Sequence, residues 1–133
     1  YYNQDGQIAV WAFFADAKSS TDTNTSVVLG TAYRNTSFVI YENTIKKLSN
    51  NPFKPSTTIL ETTVMSHEFG HILGLTNSGT ALQSDHEDSE HKRHCKVSSC
   101  LMYWESESGN VLGGTIPQLD SQCIADLRAN GGK

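Results

Sequence analysis

The chain has 133 residues, with 37% hydrophobic and 18% charged side chains, a formal charge of −4 and a pI near 5.6. That length suits one domain around a single core, and the acidic balance argues against nucleic acid, since phosphate binding needs a basic face and only His91–Lys96 is locally basic. No apolar run reaches membrane-spanning length, there are no repeats or inter-domain linkers, and the start at Tyr1 without a leader points to a mature product or a fragment of something longer.

Taken in order, Gln7–Ala17 (QIAVWAFFADA) is an apolar, β-rich run that predicts a largely buried strand. Lys18–Ser26 is polar and aperiodic, which predicts a surface loop. Val27–Tyr33 and Ser37–Tyr41 predict two strands around an Arg34–Asn35–Thr36 turn. Glu42–Leu48 predicts a short helical turn, and Ser49–Ser56 a proline-punctuated loop.

Thr57–Leu75 (TTILETTVMSHEFGHILGL) organises the rest. Ile59, Leu60, Val64, Met65, Phe69, Ile72 and Leu73 recur at three- and four-residue spacing, Ser56 or Thr57 is available as a cap, and Gly74 suits a left-handed stop. Within it lies His67-Glu68-Phe69-Gly70-His71. On a helix, positions four apart share a face, so His67 and His71 are able to offer ring nitrogens to one metal ion. Glu68 beside them is placed to take a proton from a water that the metal activates, which is the chemistry of peptide hydrolysis.

The pattern H-E-x-x-H-x-x-G resembles the metzincin clan of zinc metallopeptidases. Downstream, His94-Cys95-Lys96-Val97-Ser98-Ser99-Cys100-Leu101-Met102 is similar to the H-C-x-x-x-x-C-x-M run of the archaemetzincin family. The resemblance covers Thr57 to about Cys123, roughly half of the chain. It implies an α+β, metzincin-like zincin fold, with a twisted mixed sheet over an active-site helix, a Met-turn at Met102 forming an apolar floor beneath the metal, and a closing C-terminal helix. It also implies a zinc-dependent endopeptidase with Glu68 as general base and acid, a peptide or protein as substrate, and an antiparallel edge strand that pairs with it. Gly30, Thr31 and Ala32 are where that strand is expected.

The third zinc ligand departs from the pattern. The family's third histidine position is Asn77 here, and the His-Cys pair lies beyond an apparent insertion, Asn77–Arg93. All five histidines fall between 67 and 94. Imidazole is a far better zinc ligand than an amide, which sets Asn77 back, and the resemblance of the His-Cys spacing before Met102 to a family in which that histidine ligates puts His94 ahead of His86 and His91. Asp85, Glu87, Asp88 and Glu90 in the insertion make either a solvated acidic loop or a further metal site.

Three cysteines leave two readings. Cys95 and Cys100 are close enough in sequence to form a disulfide, with Cys123 a buried thiol; that pairing is the expectation, and it implies an extracytoplasmic, oxidising compartment. In the resembling family the equivalent cysteines and a later C-x-x-C hold a second zinc, and the later motif falls here on Asp120-Ser121-Gln122-Cys123, giving a Cys₃Asp set. Tyr103 is a candidate oxyanion stabiliser by nearness to Met102, although packing is the ordinary job of such a ring. Glu105–Gly114 is a polar connection expected in a pocket wall. The last helix is expected from a Thr115-Ile116-Pro117-Gln118 capping box to about Ala129, docking Leu119, Cys123, Ile124 and Leu127. Two other functions fit the same residues: a non-catalytic zinc-bearing protein-binding module, and a disulfide-braced interaction domain.

Overall fold

A computed structural model describes residues 5–108 and 114–132. It is a mixed α/β arrangement of three strands, three α-helices and one 3-10 turn. The strands are β1 (Trp11–Ala15), β2 (Gly30–Tyr33) and β3 (Ser37–Tyr41), in the order β1-β3-β2. β1 runs parallel to β3 with Phe13 opposite Val39, and β2 runs antiparallel with Thr31 opposite Val39. The hairpin turns at Arg34, whose φ is +58°. β2 is therefore an edge strand, with one row of backbone groups unpaired to β3.

β1 departs from the expectation of a buried strand. It is shorter than the apolar run, and Trp11, Phe13 and Phe14 are 60%, 57% and 50% exposed. The cause is position: β1 is the other edge of the sheet, and among the described residues neither the face carrying Trp11 and Phe13 nor the face carrying Phe14 is covered. A run of apolar residues reports burial capacity, and an edge strand has too few neighbours among the described residues to use it.

After β3 come α1 (Glu42–Ser49) and α2 (Thr57–Ile72). Ser56 caps α2, its side chain accepting from the Ile59 amide at 3.4 Å. Leu60, Thr63, Val64, His67 and Glu68 are buried along one face, so the motif sits on the same stripe as the core contacts. That stripe packs Leu60 and Val64 against Leu29, Phe38, Ile40 and Ile45. Met65, Phe69 and Leu73 stand on a flank of the helix and stay more than a third exposed.

The helix stops where expected. Gly74 has φ +83°, and a Cβ there would lie 2.9 Å from the Thr80 amide nitrogen, so only glycine fits the tight return. The chain then makes a second cluster from Leu75, Cys95, Cys100, Met102 and Cys123. The 3-10 turn Trp104–Glu107 follows, and α3 (Ser121–Ala129) is the last element. Its cap is Asp120, whose side chain accepts from the Cys123 amide, rather than Thr115. The segment before it is held extended because the Gln118 carbonyl accepts from the Leu101 amide, leaving the 115–118 sequence unable to begin a helix. Leu119 and Leu127 pack beside Cys123 as expected.

Candidate metal centre

The site is built outward from His67. It is fully buried, and its Nδ1–H donates to the Leu101 carbonyl at 2.7 Å. That bond fixes the tautomer and leaves Nε2 as a bare lone pair aimed away from the lower core. One turn later, His71 brings its Nε2 to 3.1 Å from that atom. Burial is the main cause that holds both rings neutral, pushing His67 down to about 3 and His71 to about 4.

The insertion returns the third ring. The Thr76 hydroxyl donates to the Arg93 carbonyl, and the Asp88 amide donates to the His94 carbonyl at 2.8 Å, folding the loop back over α2. His94 Nδ1–H donates to the Lys92 carbonyl at 3.0 Å, so its Nε2 also faces inward, buried and with no hydrogen-bond partner. The three ring centroids stand 4.8–5.3 Å apart, a nearly equilateral triangle. A tetrahedral zinc with bonds of about 2.05 Å separates its nitrogen ligands by roughly 3.3 Å, close to the His67–His71 spacing. The three Nε2 atoms and a Glu107 carboxylate oxygen lie close enough together to hold a single metal ion.

The other candidates for the third position go elsewhere. His86 is fully buried, its Nε2 2.7 Å from Asp126 Oδ2 on α3. His91 pairs with Asp88 at 3.0 Å and stacks on Trp104. Asn77 donates to Glu87 at 3.4 Å on the cleft rim. Glu87 and Asp88 accept the Arg93 and Glu90 amides, so the acidic residues brace their own loop. Among the described residues, neither metal-competent group lies in that acidic stretch.

Glu68 lies beside the triangle, fully buried, and neither carboxylate oxygen has a hydrogen-bond partner. Burial first, and then the charge of Glu107, raises it to about 8; the Ala32 backbone amide opposes the rise without reaching hydrogen-bond geometry. A buried carboxyl with two orphaned oxygens is costly, and a neighbouring cation offsets that cost. Gly30 makes room for it: a Cβ there would meet Glu68 Cγ at 2.9 Å and Val64 Cγ1 at 2.5 Å. The edge of β2 thereby lies directly against the helix, and Thr31 and Ala32 join Glu68, His71, His94 and Glu107 around a cleft of about 590 Å³. Met102 is fully buried below, against Gly70, where a Cβ would lie 2.4 Å from its Sδ. Tyr103 sits beside Trp104, with ring centroids 5.9 Å apart, outside the cleft wall. Residues 109–113 of the expected pocket wall lie outside the described residues.

Glu107 was not foreseen. Its carboxylate reaches 3.6 Å from His94 Nε2 and 3.9 Å from His67 Nε2, making a fourth possible ligand. Nothing in the polar stretch around it distinguishes it from Glu105; only folding brings it to the histidines.

The disulfide expectation is overturned. All three thiols are free, so Cys95 and Cys100 are not joined; Cys100 Sγ instead lies 3.7 Å from Cys123 Sγ, itself well beyond the roughly 2.0 Å of a disulfide. Cys95, Cys100, Asp120 and Cys123 instead converge as one group of possible ligands. Two sulfurs on one zinc, with bonds of about 2.3 Å, stand roughly 3.8 Å apart, which fits the observed pair. Hydrogen bonds from Cys123 and Cys95 push Cys100 well below the usual thiol range, while both partners are pushed up. The Met102 and Asp120 amides also point at Cys100 Sγ, each at 3.4 Å, as expected around a thiolate. Pairing by sequence proximity failed because Asp120 and Cys123 arrive from the far end of the chain. The oxidising compartment rested on that disulfide and loses its support.

No family model matches this chain, and neither the curated proteins nor the solved structures contain a match. Among the described residues, no helix is long and apolar enough to cross a membrane.

Proposed function

We propose that this chain is a zinc-dependent endopeptidase of the metzincin kind. The observation that carries this reading is the convergence of three inward Nε2 atoms next to an unpartnered, buried Glu68, at a cleft walled by an edge strand. His67, His71 and His94 are the residues that would hold the ion, which when bound supplies a Lewis acid for a peptide carbonyl and brings the pKa of water toward about 7.

The remaining chemistry belongs to the protein. β2 is an edge strand whose Thr31 and Ala32 line the cleft, with Gly30 set against α2, and main-chain hydrogen bonds from such an edge would serve an extended peptide independent of its side chains. Glu68 would take the proton of the attacking water and deliver it to the leaving nitrogen; a cation held by the three histidines would favour the ionised carboxylate this needs, against the rise that burial imposes. Leu101 holds the His67 ring, and Met102 supports the helix beneath it. The Cys95, Cys100, Asp120 and Cys123 group suits a second, structural zinc that pins α3 to the Met102 turn.

The test is Glu68→Gln. It should retain stoichiometric zinc and lose chelator-sensitive cleavage of a mixed protein substrate; undiminished cleavage would sink the mechanism. One observation favours the alternative of a non-catalytic zinc-bearing binding module, namely that Glu107 is placed to fill the fourth position, and closed four-ligand sites are the structural kind. Zinc binding with no cleavage by the unmodified protein would favour that alternative.

A further inference from the structure

Four side chains, not three, surround the centre, and the fourth differs from the histidines in kind. His67 is fully buried and His94 only 13% exposed at the side chain, whereas Glu107 keeps 28% of its side chain in solvent. Its backbone is fixed: the Glu107 carbonyl accepts from the Leu29 amide at 2.8 Å, next to Gly30, and the preceding Ser106 is buried. The side chain, by contrast, is partly exposed and can change rotamer without moving the backbone. Its oxygens stand 3.6 and 3.9 Å from His94 and His67 Nε2, beyond hydrogen bonding but near the roughly 3.3 Å edge of a zinc tetrahedron. Neither Glu68 oxygen has a partner, and Glu68 faces the same space. The two carboxylates thus divide between them the positions beside the three imidazoles, one fully buried, one partly exposed and anchored next to the strand that faces the cleft.

We propose that Glu107 is a displaceable fourth ligand that closes the His67–His71–His94 centre while the cleft is empty and gives way when a peptide binds along β2. The proposal rests on the metal-centre reading above and says how an outwardly closed site works as a catalytic one. A carboxylate ligand is exchangeable where a fourth imidazole locked in the core is not, and its swing needs no backbone movement. Its anchor at Leu29 also couples it to the strand: Thr31, Ala32 and Glu107 line the same cleft, so a peptide laid along Thr31 and Ala32 would compete with the Glu107 side chain for that space. The closed state keeps small anions and stray chelating groups off the ion.

The experiment uses cobalt(II)-substituted protein and acetohydroxamate, a small bidentate metal-binding probe. Glu107→Gln and Glu107→Asp are compared with the unmodified chain; Asp keeps the charge but falls short by one methylene. Both variants should bind acetohydroxamate at least tenfold more tightly, show a changed cobalt visible spectrum before the probe is added, and hold the metal more weakly. Identical spectra and probe affinities in all three proteins would overturn the proposal. So would an effect in Gln alone, since a nearby charge would then suffice without coordination. If the unmodified chain binds cobalt but cleaves nothing, the peptidase reading fails while the spectra still decide the role of Glu107.

Discussion

Gly70 offers the sharpest test of how the lower core supports the histidines. It lies in the last turn of α2, where glycine costs up to about 1 kcal/mol relative to alanine, so Gly70→Ala would stabilise an ordinary helix by at most about that amount. Here the new Cβ would fall 2.4 Å from Met102 Sδ, 3.1 Å from Met102 Cε and 3.5 Å from Leu75 Cδ1. Ordinary contact needs about 3.5–4.0 Å, so the thioether must move by more than 1 Å. Met102 has no exposed surface and packs among Leu75, Cys95, Cys100 and Cys123, which leaves it nowhere open to go. Overpacking of this kind costs about 1–3 kcal/mol, so the steric term equals or exceeds the propensity gain, and the net effect is a loss of up to about 2 kcal/mol. For a chain of this size that lowers the melting temperature by several degrees. The displacement also reaches the metal site, because Leu101, next to Met102, holds His67 Nδ1 at 2.7 Å. Loss of such an outer contact typically weakens metal affinity by about 10–100-fold. Thermal unfolding and competition with a chromophoric zinc chelator measure the two effects. In a Met102→Ala background the clash is gone, and Gly70→Ala should become stabilising. A single Gly70→Ala variant that melts higher than the unmodified chain with unchanged metal affinity would refute the reasoning.

Glu68→Gln should stabilise the metal-free protein in a pH-dependent manner. The folded pKa of about 8 lies above the ordinary 4.5, so the carboxyl costs nothing below pH 4.5 and progressively more as pH rises through 8. The gain should be near zero at pH 4.5 and reach roughly 3 kcal/mol at pH 7, at about 1.4 kcal/mol per unit; denaturant melts in chelator at the two pH values check it. Gly30→Ala should push β2 off α2 and lower kcat/KM, since its Cβ meets Val64 Cγ1 at 2.5 Å. Asp126→Asn removes the charged partner of buried His86 and should cost about 1–3 kcal/mol by denaturant melt. Cys123→Ser should reduce bound metal from two ions per chain to one while leaving the histidine centre loaded, by elemental analysis.

What the sequence disclosed follows from range. His67, Glu68, His71, the Ser56 cap and the Gly74 stop depend on neighbours within a turn or two, and local spacing reports such geometry directly. The β2–β3 hairpin was legible for the same reason. His94 was identified through its distance from Met102, and the structure places it with the other two rings. Glu107 and the His86–Asp126 pair depend on contacts 40 residues apart in sequence, or between segments that meet only through the sheet, and no periodicity encodes them. β1 and the three cysteines misled for related reasons. Apolar character did not say that β1 would be an edge, and the nearness of Cys95 to Cys100 did not reveal Asp120 and Cys123 arriving from α3.

The most direct measurement is an anomalous-scattering map collected at the zinc absorption edge from crystals of the purified protein. Two peaks are expected, one bonded to the Nε2 atoms of His67, His71 and His94, the other among Cys95, Cys100, Asp120 and Cys123. A map with no peak between those three imidazoles would contradict the metal centre and remove the basis for hydrolysis.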